Sequence, residues 1–202
     1  MNVVCRPYKL AVVGGIGSGK SVVSRLLTLM GVPVYDCDTR AKWLMNHDAT
    51  LREALSAAIG SEVYGADGML DRAHLSSYMF GYPERVAKVN GIVHPAVRED
   101  FRLWAQASNA PIVGVETAIL YEAGMNADVD AVCMVYAPTE LRVQRAMLRD
   151  ATDAVSVRRR MNSQMSDDDL LSRATYIIYN DDSKSLIEQV AQMLVKIKVE
   201  RF

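Results

Sequence analysis

Between Lys9 and Met30 the chain reads KLAVVGGIGSGKSVVSRLLTLM, and Gly14-x-x-x-x-Gly19-Lys20-Ser21 within it is a phosphate-binding loop pattern. Gly14, Gly15, Gly17 and Gly19 let the backbone fold back and aim N–H groups inward, and the helix that follows adds its positive end. Lys20 brings a mobile charge for the β- and γ-phosphates, and the Ser21 hydroxyl can ligate Mg²⁺. The residues expected to line ATP here are Gly15, Ile16, Gly17, Ser18, Gly19, Lys20, Ser21 and Val22. A dinucleotide site is excluded, because Lys20 stands where its third glycine belongs.

Other chemistry-bearing groups fall further along. Asp36 and Asp38 follow the apolar run Val32-Pro33-Val34-Tyr35. A carboxylate there can position an acceptor hydroxyl and take its proton. The competing reading of Asp38 is a helix N-cap. Glu116 ends the run PIVGVE, where an acid can organise Mg²⁺ through water. Glu122 has no role that its spacing reveals. Arg142, Arg145 and Arg149 share one helix face, and Arg158, Arg159 and Arg160 follow. Such a cluster can grip the γ-phosphate and exclude water as a lid. The bland alternative is a solvated face paired with Glu140, Asp150 and Asp153. His94 is a lone histidine before Pro95, kept as a possible substrate contact.

These groups need elements to hold them. Leu10-Ala11-Val12-Val13, Val32–Tyr35, Pro111–Glu116, Ala131–Tyr136 and Tyr176–Tyr179 read as buried strands. Helical patterns cover Ser21–Met30, Thr39–Asn46, Thr50–Ile59 and Leu70–Phe80. A long stretch from Pro83 to Ser108 is expected to break at His94-Pro95. Thr139 is expected to cap a helix to about Asp150, followed by Val155–Met161, Ser166–Arg173 and Ser183–Val199. Strands alternating with helices predict an α/β fold, a parallel doubly wound sheet with ligands at the strands' carboxyl ends. Residues 1–38, 109–138 and 174–202 form the expected nucleotide-binding core, 39–108 a helical insertion and 139–173 an Arg-rich lid.

The 202 residues are half apolar and 23% charged, with net charge −1. That excludes a global basic field for nucleic acid or membrane, and no run approaches the roughly 20 residues of a membrane span. Cys5, Cys37 and Cys133 fit neither a disulfide framework nor a zinc site, and suit buried or idle thiols in a reducing cytoplasm. No obligatory protein partner is evident. GTPase signatures (Asp-x-x-Gly after a strand, Asn-Lys-x-Asp) are absent, and so is a transport-ATPase signature loop. A small phosphate-loop kinase fits best.

The chain also resembles the dephospho-coenzyme A kinases along nearly its whole length. The resemblance runs through Gly14–Ser21, Val34-Tyr35-Asp36-Cys37-Asp38 and Ala66–Arg72. It continues through Asn90-Gly91-Ile92-Val93-His94-Pro95, Ile119-Leu120-Tyr121-Glu122, Arg145 with Arg149, Arg160–Gln164 and Asn180. It implies transfer of the ATP γ-phosphate to the ribose 3′-hydroxyl of dephospho-CoA, with Mg²⁺. It implies Asp38 as base, Lys20 and Arg145 as phosphate-stabilising cations and Ser21 as metal ligand, with Glu116 acting through water. Arg149 and Asn180 fall on the ATP side. Asp36, His94, Leu120, Glu122 and Arg160 fall on the acceptor side, and 39–108 is the acceptor region. The chain departs from the pattern at Val13 (usually Thr), Lys42 (Arg), Glu116 (Asp), Ala118 (Pro) and Thr175 (Asp). Another small-molecule kinase of the nucleoside or nucleotide type is the nearest alternative, and a non-catalytic ATP sensor a more distant one.

Overall fold

The computed structural model describes residues 6–201; Cys5 lies outside them. Five strands, β1 (Tyr8–Val13), β2 (Val34–Asp36), β3 (Ile112–Glu116), β4 (Ala131–Tyr136) and β5 (Tyr176–Tyr179), form one sheet in the order β2-β3-β1-β4-β5. β1 pairs in parallel with β3 and β4, and β4 with β5. β1 lies at the centre, which is why its residues form an almost unbroken apolar run.

Among the described residues nine α-helices accompany these strands: α1 (Lys20–Leu29), α2 (Cys37–His47), α3 (Ala49–Ile59), α4 (Arg72–Met79), α5 (Pro83–Ala107), α6 (Thr139–Asp150), α7 (Ala154–Met161), α8 (Asp167–Arg173) and α9 (Leu186–Arg201). Contacts divide the chain into two compact units. One holds the residues up to Tyr35 with those from Ala105 onward, the other Asp36–Trp104.

In the first unit, Leu10 and Val12 of β1 share one sheet face. They pack with Val23 and Leu27 of α1 and Val190, Leu194 and Ile197 of α9. Leu10, Leu27 and Ile197 are fully buried, so truncating any one to Ala costs about 2–5 kcal/mol. Cys133 is fully buried, which pushes its thiol up to about 12 and makes it inert; Cys37 is also buried. In the second unit, Arg40 forks onto Asp100 at 2.9 and 2.8 Å, fixing α2 to α5.

Three expectations change. α5 runs unbroken through Pro95, although proline has no N–H to give Gly91. Val89, Val93, Val97 and Phe101 form a buried i, i+4 stripe on either side, and its packing offsets the missing bond. Thr139 is the first residue of α6, not its cap: the cap position is Pro138, and no side chain bonds there. α9 begins at Leu186 and not Ser183, because the Ser185 hydroxyl accepts from Glu188 N–H and Ser183 is engaged with Asp181.

Candidate active site

The loop Gly14–Gly19 joins β1 to α1. Gly19 takes the N-cap position at φ 95°, a left-handed conformation that favours glycine, and no side chain caps the helix. By contrast Asp36, Asp48, Asp71, Asp153 and Ser166 cap α2, α3, α4, α7 and α8 with their side chains. The N–H groups of Gly17, Gly19 and Ser21 have no acceptor among the described residues. The α1 N-terminus is therefore open to an anion. The Lys20 ammonium sits over the loop, 2.8 Å from the Gly14 carbonyl and 3.3 Å from that of Gly15, and Ser21 is exposed beside it.

Three expected cradle positions direct their N–H groups elsewhere. Ile16 donates to Gln164 Oε1 at 3.0 Å, Ser18 to the Gly15 carbonyl and Val22 to the Gly19 carbonyl. The Val22 side chain instead lines an open groove of about 570 Å³, with Leu26, Asn180, Asp182, Lys184 and Ile187. Asn180 joins this groove to the loop, its Nδ2 donating to the Ser18 carbonyl at 2.7 Å.

The six arginines do not form one anion-gripping face. Arg142 is 4% exposed; its Nε donates to the Ile16 carbonyl at 3.0 Å and its Nη1 to Asp167 at 2.6 Å. The sequence reading placed it in the lid, and the structure makes it a buried tie to the phosphate loop. Its guanidinium lies where a side chain on Gly15 would be, so a larger residue there would push Arg142 off Asp167 and Ile16. Arg145 donates to the Asn180 carbonyl at 2.9 Å and lies 3.7 Å from Asp182. Arg149 and Arg160 both bond Asp150, which holds that carboxyl well below the usual carboxylate range and raises Arg149. Arg158 pairs with Glu140. Asp153, a supposed arginine partner, instead caps α7 through Ser156. Arg159 is exposed and makes no polar contact among the described residues.

The acids occupy distinct settings. Asp36, at the end of β2, accepts the N–H groups of Asp38 and Thr39 at 3.0 and 3.1 Å and the Thr39 hydroxyl at 2.6 Å. It is the cap of α2, and Asp38 stands exposed in the first turn. Glu116 ends β3 in register with Val12, two residues before the loop. Leu120 is 1% exposed and bonds Met125 through its carbonyl, so its side chain packs inside. Glu122 Oε1 accepts from Met165 N–H at 3.1 Å, and Arg173 stacks over Tyr121 at 4.8 Å; both fix this segment to the chain around α8. His94 is half-buried in α5.

Sequence reasoning missed the structural parts of Arg142, Asp167 and Gln164. In the sequence Asp167 stands only as the second residue of the expected helix Ser166–Arg173. Gln164 stood in the quoted run from Arg160, which was the one clue to it.

A parallel sheet with a glycine loop feeding an uncapped helix at its central strand defines a phosphate-loop nucleotide-binding protein. The dephospho-CoA kinase family model matches residues 8–185. A curated dephospho-CoA kinase of Bacteroides fragilis is 44% identical over 187 residues, covering 92% of this chain and 91% of that one. A solved Thermus thermophilus structure is 31% identical at a TM-score of 0.79, covering 98% of this chain and all of that one. A Campylobacter jejuni dephospho-CoA kinase shares the fold at 21% identity and TM-score 0.64, covering 96% and 98%. The chain belongs to the dephospho-CoA kinase family.

Proposed function

We propose that this enzyme transfers the γ-phosphate of ATP to the ribose 3′-hydroxyl of dephospho-CoA, giving CoA and ADP. The observation that carries the reading is the uncapped α1 N-terminus with Lys20 over the glycine loop, in a chain of this family. The 3′-oxygen bonds to the γ-phosphorus, the bond from that phosphorus to the β–γ bridging oxygen breaks, and the hydroxyl proton passes to Asp38. Lys20 and Arg145 offset the charge on the phosphoryl group, Arg145 exchanging the Asn180 carbonyl for a phosphate oxygen.

A hydroxyl and a carboxylate, Ser21 and Glu116, are hard oxygen donors of the kind Mg²⁺ takes beside substrate phosphates. They would hold the ion, Ser21 directly and Glu116 through water, and Mg²⁺ would supply charge neutralisation to the phosphates. The groove at Val22, Asn180 and Ile187 suits the nucleoside end of ATP, and the family resemblance assigns Arg149 to ATP as well. Asp36–Trp104, carrying Asp38 and His94, is the acceptor-binding unit in this reading, and Leu120, Glu122 and Arg160 are acceptor contacts that the family resemblance implies. No described helix is long and apolar enough to cross a membrane. Buried Cys37 and Cys133 suit the reducing cytoplasm.

An acceptor panel tests the reading. Dephospho-CoA should stimulate ADP release from ATP-Mg²⁺, and nucleosides and nucleoside monophosphates should not. Stimulation by one of those, without stimulation by dephospho-CoA, would assign the scaffold to another acceptor.

A further inference from the structure

Ile16, at the tip of the phosphate loop, is gripped by three separate contacts. Its N–H is bonded by Gln164, its carbonyl by Arg142, and its side chain packs on the small cluster of Val143, Ala146 and Val157. Arg142 is fixed in turn by Asp167, the first residue of α8. None of these side chains need touch the phosphate, yet they set where the loop's remaining N–H groups point.

We propose that Arg142 and Gln164 are positioning residues that hold the loop in its ATP-binding shape before ATP arrives. A loop ordered in advance loses less freedom on binding, so the latch acts on ATP affinity. The inference rests on the reading of this loop as the ATP site, but not on the identity of the acceptor. Two substitutions separate positioning from general structure. Arg142→Lys keeps the charge facing Asp167, but an ammonium lacks the fork that serves Asp167 and Ile16 together. Gln164→Met keeps the length of a half-buried side chain and removes the acceptor for Ile16 N–H.

The experiment is calorimetric titration of the whole protein with Mg²⁺ and an ATP analogue carrying nitrogen in its β–γ bridge, alongside steady-state kinetics and thermal unfolding. Each variant should bind the analogue about 3- to 10-fold more weakly, the effect of one hydrogen bond. KM for ATP should rise in parallel, with KM for dephospho-CoA unchanged and melting close to wild type. The double variant should lose less than the product of the two effects, since both act on Ile16. Unchanged affinity in both variants overturns the latch, and so does an equal rise in both KM values. A wild-type protein that binds no analogue would instead remove the ATP reading beneath it.

Discussion

The Asp36 carboxylate caps α2 by accepting the N–H of Asp38, which leaves the Asp38 carboxylate in the first helical turn with no hydrogen bond among the described residues. The N-cap reading open for Asp38 therefore falls to Asp36, two residues earlier. Asp38→Asn should lower turnover by about 10²–10⁴-fold, the contribution of a general base, with ATP binding and melting unchanged. Asp36→Ala should cost about 0.5–2 kcal/mol of stability, as for a lost N-cap. Paired kinetics and denaturant unfolding check both, and near-normal turnover in Asp38→Asn would reduce that residue to a helix-terminal charge.

Gly19 is fixed by two independent constraints. Its φ of 95° costs an L-residue about 1–2 kcal/mol, and a β-carbon there collides with Asn180 Nδ2. Gly19→Ala should therefore weaken ATP binding by about tenfold or more, at roughly tenfold per 1.4 kcal/mol. Adding Asn180→Ala removes the collision but not the φ strain, and it deletes the bond to the Ser18 carbonyl. Titration with ATP should find the double variant still weaker than wild type; full recovery would mean that the collision alone matters.

Pro95 interrupts the hydrogen bonding of α5 without ending the helix. It is exposed, so Pro95→Ala removes little packing and gives the Gly91 carbonyl a donor. Stability should rise by about 1–3 kcal/mol in urea unfolding. A fall would show that the proline holds a local geometry the helix needs.

Asp150, in the last turn of α6, bonds its neighbour Arg149 and reaches α7 through Arg160. Its folded pKa is depressed by those two bonds. The stabilisation they provide is fully present above the unfolded carboxylate value of about 3.9 and is lost as pH falls through the lower folded value. Carboxyl-carbon NMR should show Asp150 still ionised at the pH where an unperturbed carboxylate is half protonated. Coincident titration would mean that the triad is not formed in solution.

The sheet was legible because buried parallel strands write themselves as short apolar runs. Ala131–Tyr136 and Tyr176–Tyr179 were placed to the residue. The loop was legible because few patterns put four glycines before Lys-Ser. Pro95 misled because local proline rules carry no information about the Val89–Phe101 stripe packing across it. Arg142 misled for a related reason. Helical spacing assigns a shared face, but one turn decides whether a guanidinium meets solvent or the Ile16 carbonyl, and that depends on Asp167 twenty-five positions away. The part of Asp36 was open to capping chemistry, yet either acid could have served.

The central claim is where the phosphoryl group goes. The direct measurement is ³¹P NMR of the product made from dephospho-CoA and ATP-Mg²⁺. The expected result is one new phosphomonoester signal coupled to the ribose H3′, formed one for one with ADP and removed by a 3′-nucleotidase. ADP without a new ester signal, or a signal coupled to another proton, would contradict the account.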